Sequence, residues 1–180
     1  MATRKSAPDD LSGTRVTLMG LGRFGGGLGA ARWLVSQGAD VRITDMAGEE
    51  ALAGPLEQLR DLIDAGAVSL RLGGHNVADF TDTDLVVANP AVPKPWENRF
   101  LRAAEAAGVK ITTEIRLLVE RLPSRDRTIG VTGTAGKSTT TAMIAHILKK
   151  SLPEREPDAR VWLGGNIGGS RLASLDERSE

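Results

Sequence analysis

Twice in this sequence a short β-branched run ends in a glycine loop and gives way to a helical pattern, and that repeat of form constrains the fold more than any other feature. Arg15-Val-Thr-Leu-Met19 leads into Gly20-Leu-Gly22-Arg23-Phe24-Gly25, and Thr128-Ile-Gly-Val-Thr132 leads into Gly133-Thr134-Ala135-Gly136-Lys137-Ser138-Thr139. A strand that turns through glycine into a helix brings backbone N–H groups and the positive end of the helix to one place, which suits a bound anion. Further β-rich runs at 40–44, 68–72, 84–88 and 109–112 alternate with helical patterns over 26–37, 49–65 and 96–107. Strands alternating with helices predict an α/β fold with a parallel, doubly wound sheet and helices on both faces. Pro55 is expected to break the second helical stretch and start a new helix.

The same alternation divides the chain. Residues 1–14 are polar and read as a flexible arm, and 15–122 as a Rossmann-like domain closed by a helical stretch from Thr113 to Leu122. Pro123-Ser-Arg-Asp-Arg127 reads as a linker. Residues 128–180 supply a strand, a helix from Ser138 to about Lys150 and the run Val161-Trp-Leu163. They are expected to be the start of a P-loop α/β domain, because one or two strands cannot make a sheet covered on both faces.

Composition narrows the function. The 180 residues are 41% apolar and 26% charged, enough to build a core without covalent staples. With no cysteine there are no disulfides, thiolate zinc sites or cysteine nucleophiles. Zero net charge, 3% aromatic residues and no tyrosine argue against a nucleic-acid surface. No apolar run approaches the roughly 18 residues of a spanning helix, and Met1–Asp10 lacks a signal-like stretch, so a cytoplasmic protein without a membrane partner is expected.

Gly20, Gly22 and Gly25 have the dinucleotide-loop spacing, and Asp45 closes the next predicted strand, where it can reach a sugar or base. In the second loop, backbone amides of 133–139 would wrap phosphates, Lys137 would place its ammonium on the terminal ones, and Ser138 would ligate the accompanying Mg²⁺. The strict form of that loop has glycine where this chain has Val131. Two phosphate loops of different type imply two nucleotide ligands and point to an ATP-driven enzyme acting on a nucleotide-linked substrate. A non-catalytic UDP-sugar or dinucleotide-binding module, and an NAD-dependent oxidoreductase, use the first loop alone and leave Lys137 without a task. His75, His146 and the three tryptophans, Trp33, Trp96 and Trp162, read as structural positions, and Glu114 as the first residue of a helix.

The stretch Gly130-Val-Thr-Gly-Thr-Ala-Gly-Lys-Ser-Thr-Thr-Thr141 resembles the ATP loop of the Mur ligases, which also lack the strict leading glycine. Gly20-Leu-Gly22, Asp45, Asn89-Pro-Ala-Val-Pro93, Thr113-Glu-Ile-Arg-Leu117 and Leu163-Gly-Gly-Asn166-Ile-Gly168 carry the resemblance along most of residues 15–170. These markers are most similar to the member that joins D-glutamate to UDP-N-acetylmuramoyl-L-alanine. The resemblance implies a monomeric ATP- and Mg²⁺-dependent amide-forming ligase of three domains, working through an acyl phosphate in peptidoglycan precursor synthesis. It further implies that Gly22, Arg23 and Phe24 face the substrate diphosphate, that Asp45 and Asn89 contact the uridine end, and that Asn166 lies near the substrate. Lys137 and Ser138 would hold ATP and its metal. Ala135 stands where the family often has Asn, and Arg23 and Phe24 where a small hydroxyl residue is common; Arg23 could act there as a cation. The family's remaining metal ligands, its carbamylated lysine and its third domain would fall beyond Glu180, so this chain alone is expected to bind nucleotides without ligating.

Overall fold

In a computed structural model the chain is described over residues 10–22, 26–122, 124–165 and 172. Five strands form one parallel sheet: β1 (Arg15–Met19), β2 (Asp40–Thr44), β3 (Val68–Arg71), β4 (Leu85–Ala88) and β5 (Lys110–Thr112), in the order β3-β2-β1-β4-β5. β1 and β4 lie inside the sheet, and β4 is buried at every residue. Its side chains alternate between faces, as strand geometry requires. Leu85 and Val87 join Val16, Leu18, Val41 and Ile43 in a core with Ala30, Ala31 and Leu34 of α1 (Gly26–Ser36). Val86 and Ala88 join Met19 in a second core on the opposite face.

The predicted 49–65 helix is broken into a 3-10 turn at Glu50–Leu52, α2 (Ala53–Glu57) and α3 (Arg60–Asp64). Pro55 sits in the first turn of α2, where its missing N–H costs nothing, and the break falls at Gln58–Leu59 instead. A five-residue helix not foreseen in the sequence, α4 (Val77–Thr81), is capped by Asn76, whose side chain accepts from the Ala78 N–H. It supplies Phe80 to the second core and Asp79 to the sheet face, where Asp79 is 1% exposed. There Arg42 of β2 meets the Asp79 carboxylate at 3.2 Å and Arg71 of β3 approaches its other oxygen. A buried carboxylate is thus held by two half-exposed guanidiniums from neighbouring strands.

The helix predicted over 96–107 starts later, as α5 (Arg99–Ala106), because the Asn98 side chain accepts from the amides of Phe100 and Leu101 and fixes the N-terminus there. Trp96 is left in the preceding turn and is 71% exposed, not a packing residue as the sequence suggests. Trp33 is buried, with the Arg121 guanidinium 5.0 Å from its ring centre. Thr113 caps α6 (Glu114–Glu120), and Glu114 opens that helix as expected.

After Leu122 the described residues hold one regular element, α7 (Lys137–Ser151). The strands predicted at 128–132 and 161–163 are not formed: neither segment has a neighbouring strand to pair with, and a β-run without a ladder gains nothing for fixing its backbone. Ile129, Met143 and Ile147 are each more than half exposed. Leu172, in contrast, is fully buried within the first core. Leu172→Ala is expected to lower unfolding stability by about 2–4 kcal/mol, the range for truncating a packed leucine; urea denaturation followed by circular dichroism checks it, and an unchanged midpoint would refute the packing.

Candidate functional site

The strand register builds the site. Met19 pairs with Thr44 on one side and with Ala88 on the other, so the next residues, Gly20, Asp45 and Asn89, emerge side by side at the C-terminal edge of the three central strands. In open α/β sheets this edge is where ligands bind. The ladder runs one step further on both sides, through Gly20 N–H to Thr44 O at 2.8 Å and Asn89 N–H to Met19 O at 2.9 Å.

Asp45 is half-buried and its carboxylate acts on the glycine loop. Oδ2 accepts from the amides of Leu21 at 2.9 Å and Gly22 at 3.4 Å, and Oδ1 accepts from Ala47 N–H at 2.8 Å. Asn89 fastens the same loop from the other side: its Nδ2 donates to Gly20 O at 3.2 Å and its Oδ1 accepts from Ala91 N–H at 2.8 Å. Gly20 and Gly22 both have positive φ, +88° and +69°, and a Cβ on Gly20 would stand 3.0 Å from the Asn89 Cβ. The sequence-predicted trio Gly20/Gly22, Asp45 and Asn89 is therefore brought together in one hydrogen-bonded edge. Arg23, Phe24, Gly25 and Asn166 lie outside the described residues.

Gly27 was not among the candidate site residues. A Cβ there would come within 2.2 Å of the Leu21 carbonyl oxygen, so α1 can approach the loop only with glycine at this position. The run Gly25-Gly26-Gly27 carried that signal, obscured by the dinucleotide spacing that drew attention to Gly25.

Beside the edge lies an open groove of about 430 Å³ whose walls include Arg71, Gly73, His75, Asn76, Arg99 and Phe100. The turn at Gly73-Gly74 folds back over the end of β2: Gly73 N–H donates to Ala47 O and Gly74 N–H to Asp45 O. His75 is half-buried, its Nδ1 lies 2.7 Å from Thr44 Oγ1, and its ring meets Phe80 and Phe100 edge-on at 5.6 and 5.1 Å. Burial pulls its pKa below the ordinary 6.5, against the opposing pull of the Asp45 and Asp79 charges.

The second loop, Gly133–Thr139, is exposed and ends at the N-terminus of α7, where Gly136 (φ +75°) is the cap residue and no side chain caps the helix. The N–H groups of a helix's first turn have no partner within it, so they are free to meet an anion. Lys137 folds back over the loop, its Nζ donating to Gly133 O at 2.7 Å. Ser138 and Thr139 lie in the same exposed first turn. An uncapped helix start, a lysine lying across the loop and a hydroxyl beside it fit a nucleoside triphosphate with a divalent cation. Among the described residues no group of three or more acidic, histidine or cysteine side chains is placed to hold a metal. No helix among the described residues is long and apolar enough to cross a membrane.

Residues 14–113 match the family model for the Mur ligase MurD-like N-terminal domain. The chain belongs to this family. The match spans the whole parallel sheet, from the start of β1 past the end of β5, and with it Gly20, Asp45 and Asn89. Curated relatives of this MurD-like chain include the UDP-N-acetylmuramoylalanine--D-glutamate ligase of Anaeromyxobacter dehalogenans, 42% identical over 162 residues, covering 90% of this chain and 31% of the relative. Those of Roseiflexus sp. and Borreliella afzelii are 41% and 38% identical, covering 92% and 94% of this chain and 32% and 34% of the relatives. The chain spans about a third of the length of these relatives.

Two outcomes are expected from this geometry. Gly27→Ala must push α1 and the loop apart and should cost about 1–3 kcal/mol, as overpacking does, read as a shift of the urea midpoint; wild-type stability would show that the close approach is not required. Because folding lowers the His75 pKa, the neutral ring's contribution is complete above pH 6.5 and is lost as pH falls through the lower folded value. Stability should therefore decline between pH 7 and pH 5, and His75→Phe should flatten that decline; equal slopes in both proteins would refute the assignment.

Proposed function

We propose that this chain is the N-terminal portion of an ATP-dependent ligase that adds D-glutamate to UDP-N-acetylmuramoyl-L-alanine in peptidoglycan precursor synthesis. Residues 15–122 bind the UDP-linked substrate across Gly20, Gly22, Asp45 and Asn89, with Arg23, Phe24, Gly25 and Asn166 as further contacts. Residues 128–180 belong to the ATP-binding unit, joined through 123–127. The observation that carries this reading is the pairing, in one chain of the MurD-like family, of a clamped glycine loop at the sheet edge with an uncapped helix start bearing Lys137.

Each residue's task follows from its chemistry. The Asp45 carboxylate holds the Leu21 and Gly22 amides in place, and Asn89 fixes the Gly20 carbonyl, so the loop meets its ligand already ordered. Lys137 would leave Gly133 O for the terminal phosphates of ATP, the amides at 133–139 would cradle those phosphates, and Ser138 would ligate the accompanying Mg²⁺. ATP bound with Mg²⁺ would supply the phosphoryl group that turns the L-alanine carboxylate into an acyl phosphate with release of ADP; the D-glutamate amine would then displace phosphate, lose a proton and form the amide. The enzyme is proposed to act as a cytoplasmic monomer.

Calorimetric titration of the purified chain tests the reading. UDP-N-acetylmuramoyl-L-alanine should bind saturably, and Asp45→Ala should weaken it by tenfold or more, about 1.4 kcal/mol. Mg²⁺–ATP should bind wild type and lose its affinity in Lys137→Ala. Binding of NAD with no response to the UDP ligand would favour the oxidoreductase reading and defeat this one.

A further inference from the structure

The hydrogen bonds at the sheet edge form one continuous network whose outermost side chain is His75. From the glycine loop, Gly20 N–H reaches Thr44 O, and Leu21 and Gly22 reach the Asp45 carboxylate. From the far side, Gly73 and Gly74 reach Ala47 O and Asp45 O, and Asp45 N–H reaches Arg71 O at 3.0 Å. Thr44 is fully buried, and its hydroxyl lies 2.7 Å from His75 Nδ1. His75 is in turn seated against Phe80 of α4 and Phe100 of α5, two rings that stack on each other at 5.3 Å within the second core. It therefore joins three things that no other side chain described at this edge joins: the end of β2, the Gly73-Gly74 turn and the helical layer behind the sheet.

We propose that His75 is a positioning residue for the substrate-nucleotide loop, acting through Thr44 and the backbone of Asp45; the inference rests on the loop's proposed role as the UDP-ligand site. The imidazole itself touches no part of the Gly20–Gly22 loop. Its effect is indirect. With the Thr44 hydroxyl and the 73–75 turn held in place, the Asp45 carboxylate keeps the oxygen positions that receive the Leu21 and Gly22 amides. Without that hold, the two glycines at positive φ return conformational freedom to the loop and the ligand has to order it.

Two substitutions separate the polar role of the ring from its packing role. His75→Phe keeps an aromatic ring against Phe80 and Phe100 but removes the polar partner of Thr44. His75→Asn keeps a polar atom near the Nδ1 position and loses the ring. In ¹⁵N–¹H spectra of the uncomplexed chain, His75→Phe should shift the Leu21 and Gly22 amide resonances and speed their hydrogen exchange, and His75→Asn should restore both toward wild type while lowering the melting temperature. In calorimetry, His75→Phe should weaken UDP-N-acetylmuramoyl-L-alanine about three- to tenfold, the range one net hydrogen bond carries. Thr44→Val should do the same, with no further loss in the double variant. Leu21 and Gly22 resonances unchanged in His75→Phe, or additive losses in the double variant, would overturn the proposal. If wild type does not bind the UDP ligand, it is the functional reading that fails, and the amide spectra still decide the role of His75.

Discussion

The carboxylate of Asp45 is the interaction on which this edge of the sheet depends. Glycine at two positions gives the loop much backbone freedom to lose, and past Gly20 its amides have no strand or helix to pair with. Placing an anion from the next strand under two of those amides satisfies them and fixes the loop at once. That is possible only because β1 and β2 run parallel in a register that ends both strands at the same level, Met19 beside Thr44. Shift the register by a residue and the carboxylate would face the opposite side of the sheet. The two hydrophobic cores that set the register are thus part of what builds the site.

Strand identity was legible because each strand is a short β-branched run bounded by glycine or polar residues, and the interior strands are buried on both faces. The βαβ alternation makes the sheet parallel, but its order, and with it the clustering of Gly20, Asp45 and Asn89, comes from the structure. What Asp45 and Asn89 touch was not legible. Their residue types suit a sugar or base as well as they suit a backbone amide, and only the register shows that the amides of Leu21 and Gly22 are within reach. Helix α4 escaped notice because five residues give too little periodicity, and its signal is the single cap at Asn76. The missing strands at 128–132 and 161–163 show the reverse failure: local β-propensity was read correctly as propensity, but a strand is a relation between segments and these have no partner in the sheet.

The two glycine loops differ in what their backbone amides meet. At Gly20–Gly22 the amides are already engaged by Asp45, so the loop is ordered in advance and the surface it offers is fixed. At Gly133–Thr139 the helix start is uncapped and its cation rests on a loop carbonyl, a contact that a phosphate can outcompete at small cost. On the proposed reading, the first arrangement suits recognition of a particular shape and the second suits repeated exchange of a charged ligand. That division suits a chain proposed to keep one nucleotide as a handle on its substrate and to consume another.

Leu172 in the first core means that the polypeptide leaves the sheet domain near Leu122, runs through α7, and is fastened to the sheet domain again. A segment attached at one point is limited on one side only; one attached at two is limited by the chain on both. Any movement that carries Lys137 toward the edge at Asp45 therefore has to be reached from both anchors at once. The same contact sets a limit on cutting: a single packed leucine is worth about 2–4 kcal/mol, so a break between residues 123 and 127 would leave the two pieces joined no more tightly than a millimolar complex.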